Sequence, residues 1–269
     1  MTQMTSPLIS AAHLAERLGR VKLFDLRWSL TDPTHGIRAY EDGHVPGAVF
    51  VDLDLDLAAI EGDGRHPLPP VADFTKTLGR LGVGPNDDVV VYDDMSGAVA
   101  ARLWWMLRSI GHRAVRLLDG GLQAWKERGL PLEEGRVVPE PTTYPAVSGF
   151  TGVVRHDQLE GRVLADVRAP ERYRGDLEPV DPKAGHIPGA VNYPMAGNLE
   201  ERLFLSGQAL AERYRGFPGD GVLSCGSGVN ACHTAIALIL AGRTMPDVYV
   251  GSFSDWSRRD LPVVTGPNP

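Results

Sequence analysis

The chain is written twice. Residues 43–50 read GHVPGAVF and residues 185–192 read GHIPGAVN. Before them, LFDLR (23–27) matches LADVR (164–168). After them, VVVYDDMSGAVAARLWWML (89–107) matches GVLSCGSGVNACHTAIALIL (221–240), and DGGLQAWKERGLP (119–131) matches VGSFSDWSRRDLP (250–262). Asp94 and Trp125 are 31 residues apart, as are Cys225 and Trp256. Four ordered matches at preserved spacing make a tandem duplication of a unit of roughly 120–130 residues. Whatever fold the first copy takes, the second must be able to take as well.

Each copy alternates short apolar runs with helical patterns. Residues 9–20 open with a serine cap and helical apolar spacing, and residues 151–162 hold the equivalent place. VKLFDLR and RVLADVR read as short buried strands with an aspartate near the end. Residues 71–81 and 98–110 read as helices, 88–93 as a buried strand, and LQAWKERG as a short helix closed by glycine. Strands alternating with helices predict an α/β fold, each half a parallel sheet with helices on both faces. Residues 136–149, RVVPEPTTYPAVSG, have linker composition. The expected division is a first domain over 1–135, a linker over 136–149 and a second domain over 150–269. His44 to Asp94 is 50 residues and His186 to Cys225 is 39. The excess lies mostly in 54–70, a loop expected to cover the domain interface.

One stretch carries chemistry. Gly221–Ser224 reads as a buried strand ended by Cys225; Gly226, Ser227, Gly228, Val229 and Asn230 form a tight loop; a helix runs from Ala231 to about Leu240. A thiol so placed faces the free N–H groups and the positive end of a helix, a setting that favours the reactive thiolate. Taken alone, a lone cysteine is as readily a small core hydrophobe. The two glycines tilt the reading, because they permit positive φ and close backbone approach, which an inert cysteine does not require. Ligands of parallel α/β sheets bind at the C-terminal ends of strands. Asp94 and Cys225 are thus both site positions, and only the second half offers a nucleophile.

Composition excludes several classes. The formal net charge of −7 gives no electrostatic footprint for nucleic acid. No apolar run reaches the roughly 18 residues of a membrane span, and the first residues lack the pattern of a signal peptide. Two cysteines are too few for a disulfide framework and fit a reducing cytoplasm. The eight histidines show no zinc-site spacing, so no metal is expected. A monomer is the default expectation.

The GHVPGA and GHIPGA boxes, the cysteine-headed glycine loop and the terminal glycine-to-tryptophan segments resemble the two-domain rhodanese superfamily of sulfurtransferases, over roughly residues 8–265. The loop CGSGV is similar to that of the 3-mercaptopyruvate sulfurtransferases. The thiosulfate-specific branch carries basic residues directly after the cysteine, where this chain has Gly226 and Ser227. The resemblance implies two tandem rhodanese-like domains, no metal or organic cofactor, and a catalytic C-terminal domain working through a Cys225 persulfide. The first domain, with Asp94 at the cysteine position, is expected to be non-catalytic. A small anionic donor, 3-mercaptopyruvate or alternatively thiosulfate, would load the cysteine. Cyanide or a thiol, a thioredoxin-like protein among the candidates, would unload it.

The resemblance also implies roles. Arg172, in ERYRG, would pair with the donor's anionic group, which a guanidinium grips in bidentate fashion. A second arginine is usual about nine residues later; here that position is Asp181, and Arg174 is the candidate substitute. Ser227 would help protonate the leaving pyruvate enolate, with His44 behind it as the matching histidine. His186 holds the same motif place in the second half, so His44 equally fits a turn shared by both copies. Gly226, Gly228, Val229 and Asn230 would line the sulfur pocket, Asn230 standing where threonine is usual. Trp28 would lie near the interdomain cleft, and Asp166 would orient the arginine or loop, or serve as a cap. Cys232 reads as core.

Two other classes fit the residues less well. Cysteine-dependent phosphatases on a related scaffold need arginine six residues after the cysteine, and Ala231 stands there. A non-catalytic binding module is disfavoured by the intact Cys225 loop.

Overall fold

The computed structural model describes residues 6–269. The chain divides into two compact units. The first holds residues up to Ala58 together with Pro69–Thr151; the second holds Ala59–Leu68 and Gly152–Pro269. Two differences from the expected boundaries follow. The stretch 136–149 is fastened to the first unit: Val137 N–H donates to Tyr40 Oη at 3.0 Å and Thr142 N–H to the Gly79 carbonyl at 2.8 Å. And part of the 54–70 loop, Ala59–Leu68, belongs to the second unit.

The duplication in sequence is a duplication in topology. The first unit's sheet runs Leu8–Ile9, Val115–Leu118, Val89–Tyr92, Lys22–Asp25, Val49–Phe50, all parallel. The second runs Val153–Val154, Asp247–Tyr249, Val222–Ser224, Leu164–Asp166, Val191–Asn192, also all parallel. The middle strand of each is wholly buried, which explains why both read as uninterrupted apolar runs. The expected helices over 71–81 and 98–110 are Val71–Arg80 and Ala101–Ser109. Where the first unit opens with the helix Ala11–Ala15, capped by Ser10, the second has only a short 3-10 turn, His156–Gln158. Among the described residues no helix is long and apolar enough to cross a membrane.

Both units share a device that sets the C-terminal end of the sheet. Asp25 takes Arg27 in a bidentate pair, and the Arg27 Nη2 donates onward to the Gly43 carbonyl at 2.9 Å. Asp166 takes Arg168 identically, with Nη2 on the Gly185 carbonyl at 2.7 Å. In each unit the histidine of the GH-PGA box stacks on a tyrosine. His44 lies 4.0 Å from the Tyr40 ring and His186 3.7 Å from Tyr173. Each histidine's Nδ1 also bonds that tyrosine's carbonyl.

The sheet register corrects the alignment of the two loops by one residue. Asp25 is level with Tyr92, and Asp166 with Ser224. The residue that follows the middle strand is therefore Asp93 in the first unit and Cys225 in the second. Asp93, not Asp94, stands at the cysteine position. Spacing to the tryptophan conceals this, because the stretch is one residue longer in the first unit: Asp93 to Trp125 is 32 residues and Cys225 to Trp256 is 31.

Asp93 is fully buried, and four backbone N–H groups of its loop close on the carboxylate: Met95 and Gly97 on Oδ1, Val99 and Ala100 on Oδ2, at 2.7–2.8 Å. Burial pushes this carboxyl above the usual range, against the pull of the four N–H donors. Removing the acceptor orphans all four donors at once. Asp93→Ala should therefore cost on the order of 3 kcal/mol or more, read as a lower urea midpoint for the unfolding of the first unit.

Candidate active site

Cys225 emerges from the middle strand of the second sheet and is almost fully buried. Its loop faces inward with N–H groups because its carbonyls are tied off elsewhere. Phe253 N–H donates to the Cys225 carbonyl at 3.1 Å and Ser254 N–H to the Gly226 carbonyl at 2.8 Å. Both donors belong to the first turn of the helix Ser252–Trp256. On the inner side, Gly228 N–H donates to Cys225 Sγ at 3.1 Å. Gly228 has φ +76°, and a Cβ there would come within 2.2 Å of the Val250 carbonyl oxygen. Only glycine gives the loop both this turn and this approach. The helix Asn230–Leu240 follows, with Val229 at its cap position. Asn230 is exposed at the first turn, and Cys232 is a core residue whose Sγ donates to the Gly228 carbonyl.

A second hydroxyl lies against the sulfur. Ser252 Oγ is 3.9 Å from Cys225 Sγ, accepts the Cys225 N–H at 3.0 Å and donates to the Tyr249 carbonyl at 2.8 Å. Ser252 has φ +53°, and its counterpart Gly121 has φ +59°. The second unit thus keeps a serine in a backbone conformation that the first unit fills with glycine, at a cost of about 1–2 kcal/mol. That difference was visible in the paired segments DGG and VGS and marks Ser252 as a site residue that sequence reasoning passed over.

Ser227 sits two residues after the cysteine, and its partner is His66: Ser227 Oγ and His66 Nδ1 are 2.9 Å apart, both buried. The expected partner was His44. The structure places His44 in the shared turn of the first unit, fixed by Tyr40 and with its counterpart in His186. His66 comes from the Ala59–Leu68 loop. Gly64 lets that loop seat: its φ is +84°, and a Cβ would fall 2.5 Å from the Gly251 carbonyl oxygen. Arg65 N–H donates to Ser254 Oγ at 3.0 Å, and Asp63 pairs with Arg259 at 2.8 Å. The extra length of the first half signalled this loop; nothing in its composition singled out Arg65 or His66.

Arg172 lies beside the loop, on the short helix Pro170–Arg174. Its Nη2 donates to Glu178 Oε1 at 2.7 Å and to Asp181 Oδ2 at 3.1 Å. Glu178 also receives Arg168 Nη1 at 3.3 Å. Burial works against the Glu178 charge, but Arg172 and the N–H groups of Asp181 and Val180 hold it below its usual range. Burial dominates at Asp181 and pushes it up, against the pull of Arg65 and Arg172. Asp166 reaches the site indirectly. It grips Arg168 rather than Arg172, and Arg168 lies flat over Phe253 at 3.9 Å. That stacking holds the helix that ties off the Cys225 loop. Arg174 pairs with Asp176 at the surface and does not join the cluster. Trp28 belongs to the first unit, where its Nε1 donates to Asp54 at 2.8 Å.

A buried sulfur on an N–H-lined loop, with a serine–histidine pair and arginine beside it, is an arrangement for nucleophilic thiol chemistry on a small anion. Comparison with known proteins agrees. A family model described as a rhodanese-like domain matches residues 10–128 and again 154–259. The chain is 42% identical to a Pseudomonas aeruginosa protein named "Probable 3-mercaptopyruvate sulfurtransferase", covering 97% of this chain and 99% of that one. It is 40% identical to the Mycobacterium tuberculosis "Putative thiosulfate sulfurtransferase SseB", covering 93% of each. The solved 3-mercaptopyruvate sulfurtransferase of Leishmania major superposes with a TM-score of 0.87 at 31% identity, over 95% of this chain and 75% of that one. With both halves matched and such relatives along nearly its whole length, the chain belongs to the rhodanese family.

Proposed function

We propose that the chain is a sulfurtransferase whose second unit carries the chemistry, moving the sulfur of 3-mercaptopyruvate through a Cys225 persulfide to cyanide or a thiol. The observation that carries this reading is the Ser227–His66 pair, at 2.9 Å, on the same loop that holds Cys225 Sγ.

The Cys225 thiolate attacks the donor's sulfur. The carbon–sulfur bond breaks, its electron pair leaves as the enolate of pyruvate, and the sulfur stays as Cys–S–SH. The Ser227 hydroxyl, bonded to His66, delivers a proton to the enolate carbon, giving pyruvate. The Gly228 N–H, already on the sulfur, stabilises the negative charge that passes through this position. An acceptor then removes the outer sulfur, as thiocyanate when it is cyanide, and restores the thiolate in a ping-pong cycle. A thioredoxin-like thiol would serve equally as acceptor, and a reducing cytoplasm keeps both buried cysteines as thiols.

Thiosulfate is the second reading, favoured by the name of the Mycobacterium relative. The two donors make different demands. Thiosulfate releases sulfite, which needs no proton on carbon, so the serine–histidine pair has work to do only with mercaptopyruvate. Ser227→Ala and His66→Gln should each lower kcat/KM for 3-mercaptopyruvate by about 10²-fold or more, with little effect on any thiosulfate:cyanide activity. Equal losses with both donors would contradict the protonation role. Cys225→Ala should abolish thiocyanate formation from either donor, and residual turnover would remove Cys225 as the nucleophile.

A further inference from the structure

The sulfur donor has an anionic end, and Arg172 alone is a thin site for it. Two guanidiniums, not one, converge on the position that follows the nucleophile. A Cβ at Gly226 would lie 3.0 Å from Arg65 Nη2 and 3.5 Å from Arg172 Nη1. Gly226 thus leaves open the volume toward which both arginines point. Neither of these two nitrogens has an acceptor among the described residues. Arg65 spends Nη1 on Asp181 Oδ1, and Arg172 spends Nε and Nη2 on Glu178 and Asp181. Arg65 Nε is also buried without a hydrogen-bond partner. A part-buried guanidinium with idle donors beside the nucleophile loop is one prepared for an acceptor that comes and goes.

We propose that Arg65 is the second anion-binding residue of the site: with Arg172 it clamps the carboxylate of the donor over Gly226, and Asp181 keeps the two guanidiniums in register. The inference rests on the sulfurtransferase reading. It also accounts for Asp181. Where a second arginine is expected nine residues after Arg172, the chain has a carboxylate, and that carboxylate binds an arginine delivered from a different element. The seat of that arginine is built: Arg65 N–H is held by Ser254 Oγ, and Ser254 N–H in turn holds the Gly226 carbonyl. Loop, guanidinium and nucleophile loop are therefore positioned by one residue.

The test uses the full chain. Arg65→Met should raise KM for 3-mercaptopyruvate about tenfold or more while kcat stays within about threefold, the signature of lost uniform binding. Pyruvate, a carboxylate with no sulfur to give, should lose affinity by a similar factor in titration calorimetry. Arg65→Lys keeps the charge beside Asp181 but not the fork, and should give a smaller rise in KM, about threefold. The exchanged pair Arg65→Asp with Asp181→Arg should recover most of the KM lost in Arg65→Asp alone. Unchanged KM and pyruvate affinity in Arg65→Met, or a fall in kcat alone, would overturn the proposal and leave Arg65 as a brace for Asp181. Calorimetry does not need turnover. A wild-type chain that binds pyruvate through Arg65 but transfers no sulfur would sink the sulfurtransferase reading and spare the clamp.

Discussion

The loop that leaves a buried parallel strand carries more N–H donors than its own backbone can pair, and something negative must meet them. Both units of this chain face that constraint at the same place, the end of the middle strand. The first meets it with its own carboxylate, Asp93, on which four N–H groups close. The second puts Cys225 there, with Gly228 N–H on the sulfur. Because the donors exist in both copies, the cradle is a property of the fold. Whether it is filled permanently or by a reacting group depends on one side chain. The rest of the second unit keeps that loop facing inward: Phe253 and Ser254 tie off its carbonyls, Arg168 lies on Phe253, and Asp166 holds Arg168.

The charged groups extend this logic from architecture to site. Asp166, Arg168, Glu178, Arg172, Asp181 and Arg65 alternate in sign along one connected run of ion pairs. Its inner end, Asp166–Arg168, has a twin in Asp25–Arg27 of the first unit. Its outer end has none described there. Buried ion pairs of this kind add little net stability, since desolvation offsets most of their attraction. What they supply here is direction. Arg172 and Arg65 are each held by carboxylates, and each keeps one nitrogen near Gly226.

Much of this was legible in the sequence. The duplication predicted two α/β units, and their strand orders are the same. The strand–loop–helix around Cys225 lies where the apolar pattern and the two glycines put it, the helix beginning one residue earlier at Asn230. Three features were not legible, for three reasons. Tryptophan spacing pairs Asp94 with Cys225 and does not register one extra residue in the stretch between; the hydrogen-bond register of the strands does. His44 stands out in the sequence because it lies in a motif, yet a residue present in both copies is explained by the turn they share. Arg65 and His66 sit in a loop without periodicity, and such a loop does not show in sequence which surface it will fold against. Ser252 was within reach, since the paired segments DGG and VGS put a serine where the first copy has glycine.

The central claim is that Cys225 accepts a sulfur atom and holds it until an acceptor arrives. Intact-mass spectrometry of the chain treated with 3-mercaptopyruvate, without acceptor, tests it directly. A gain of one sulfur atom is expected, mapped to Cys225, removed by cyanide and absent in Cys225→Ser. No gain in mass, or a gain mapped to Cys232, would contradict it.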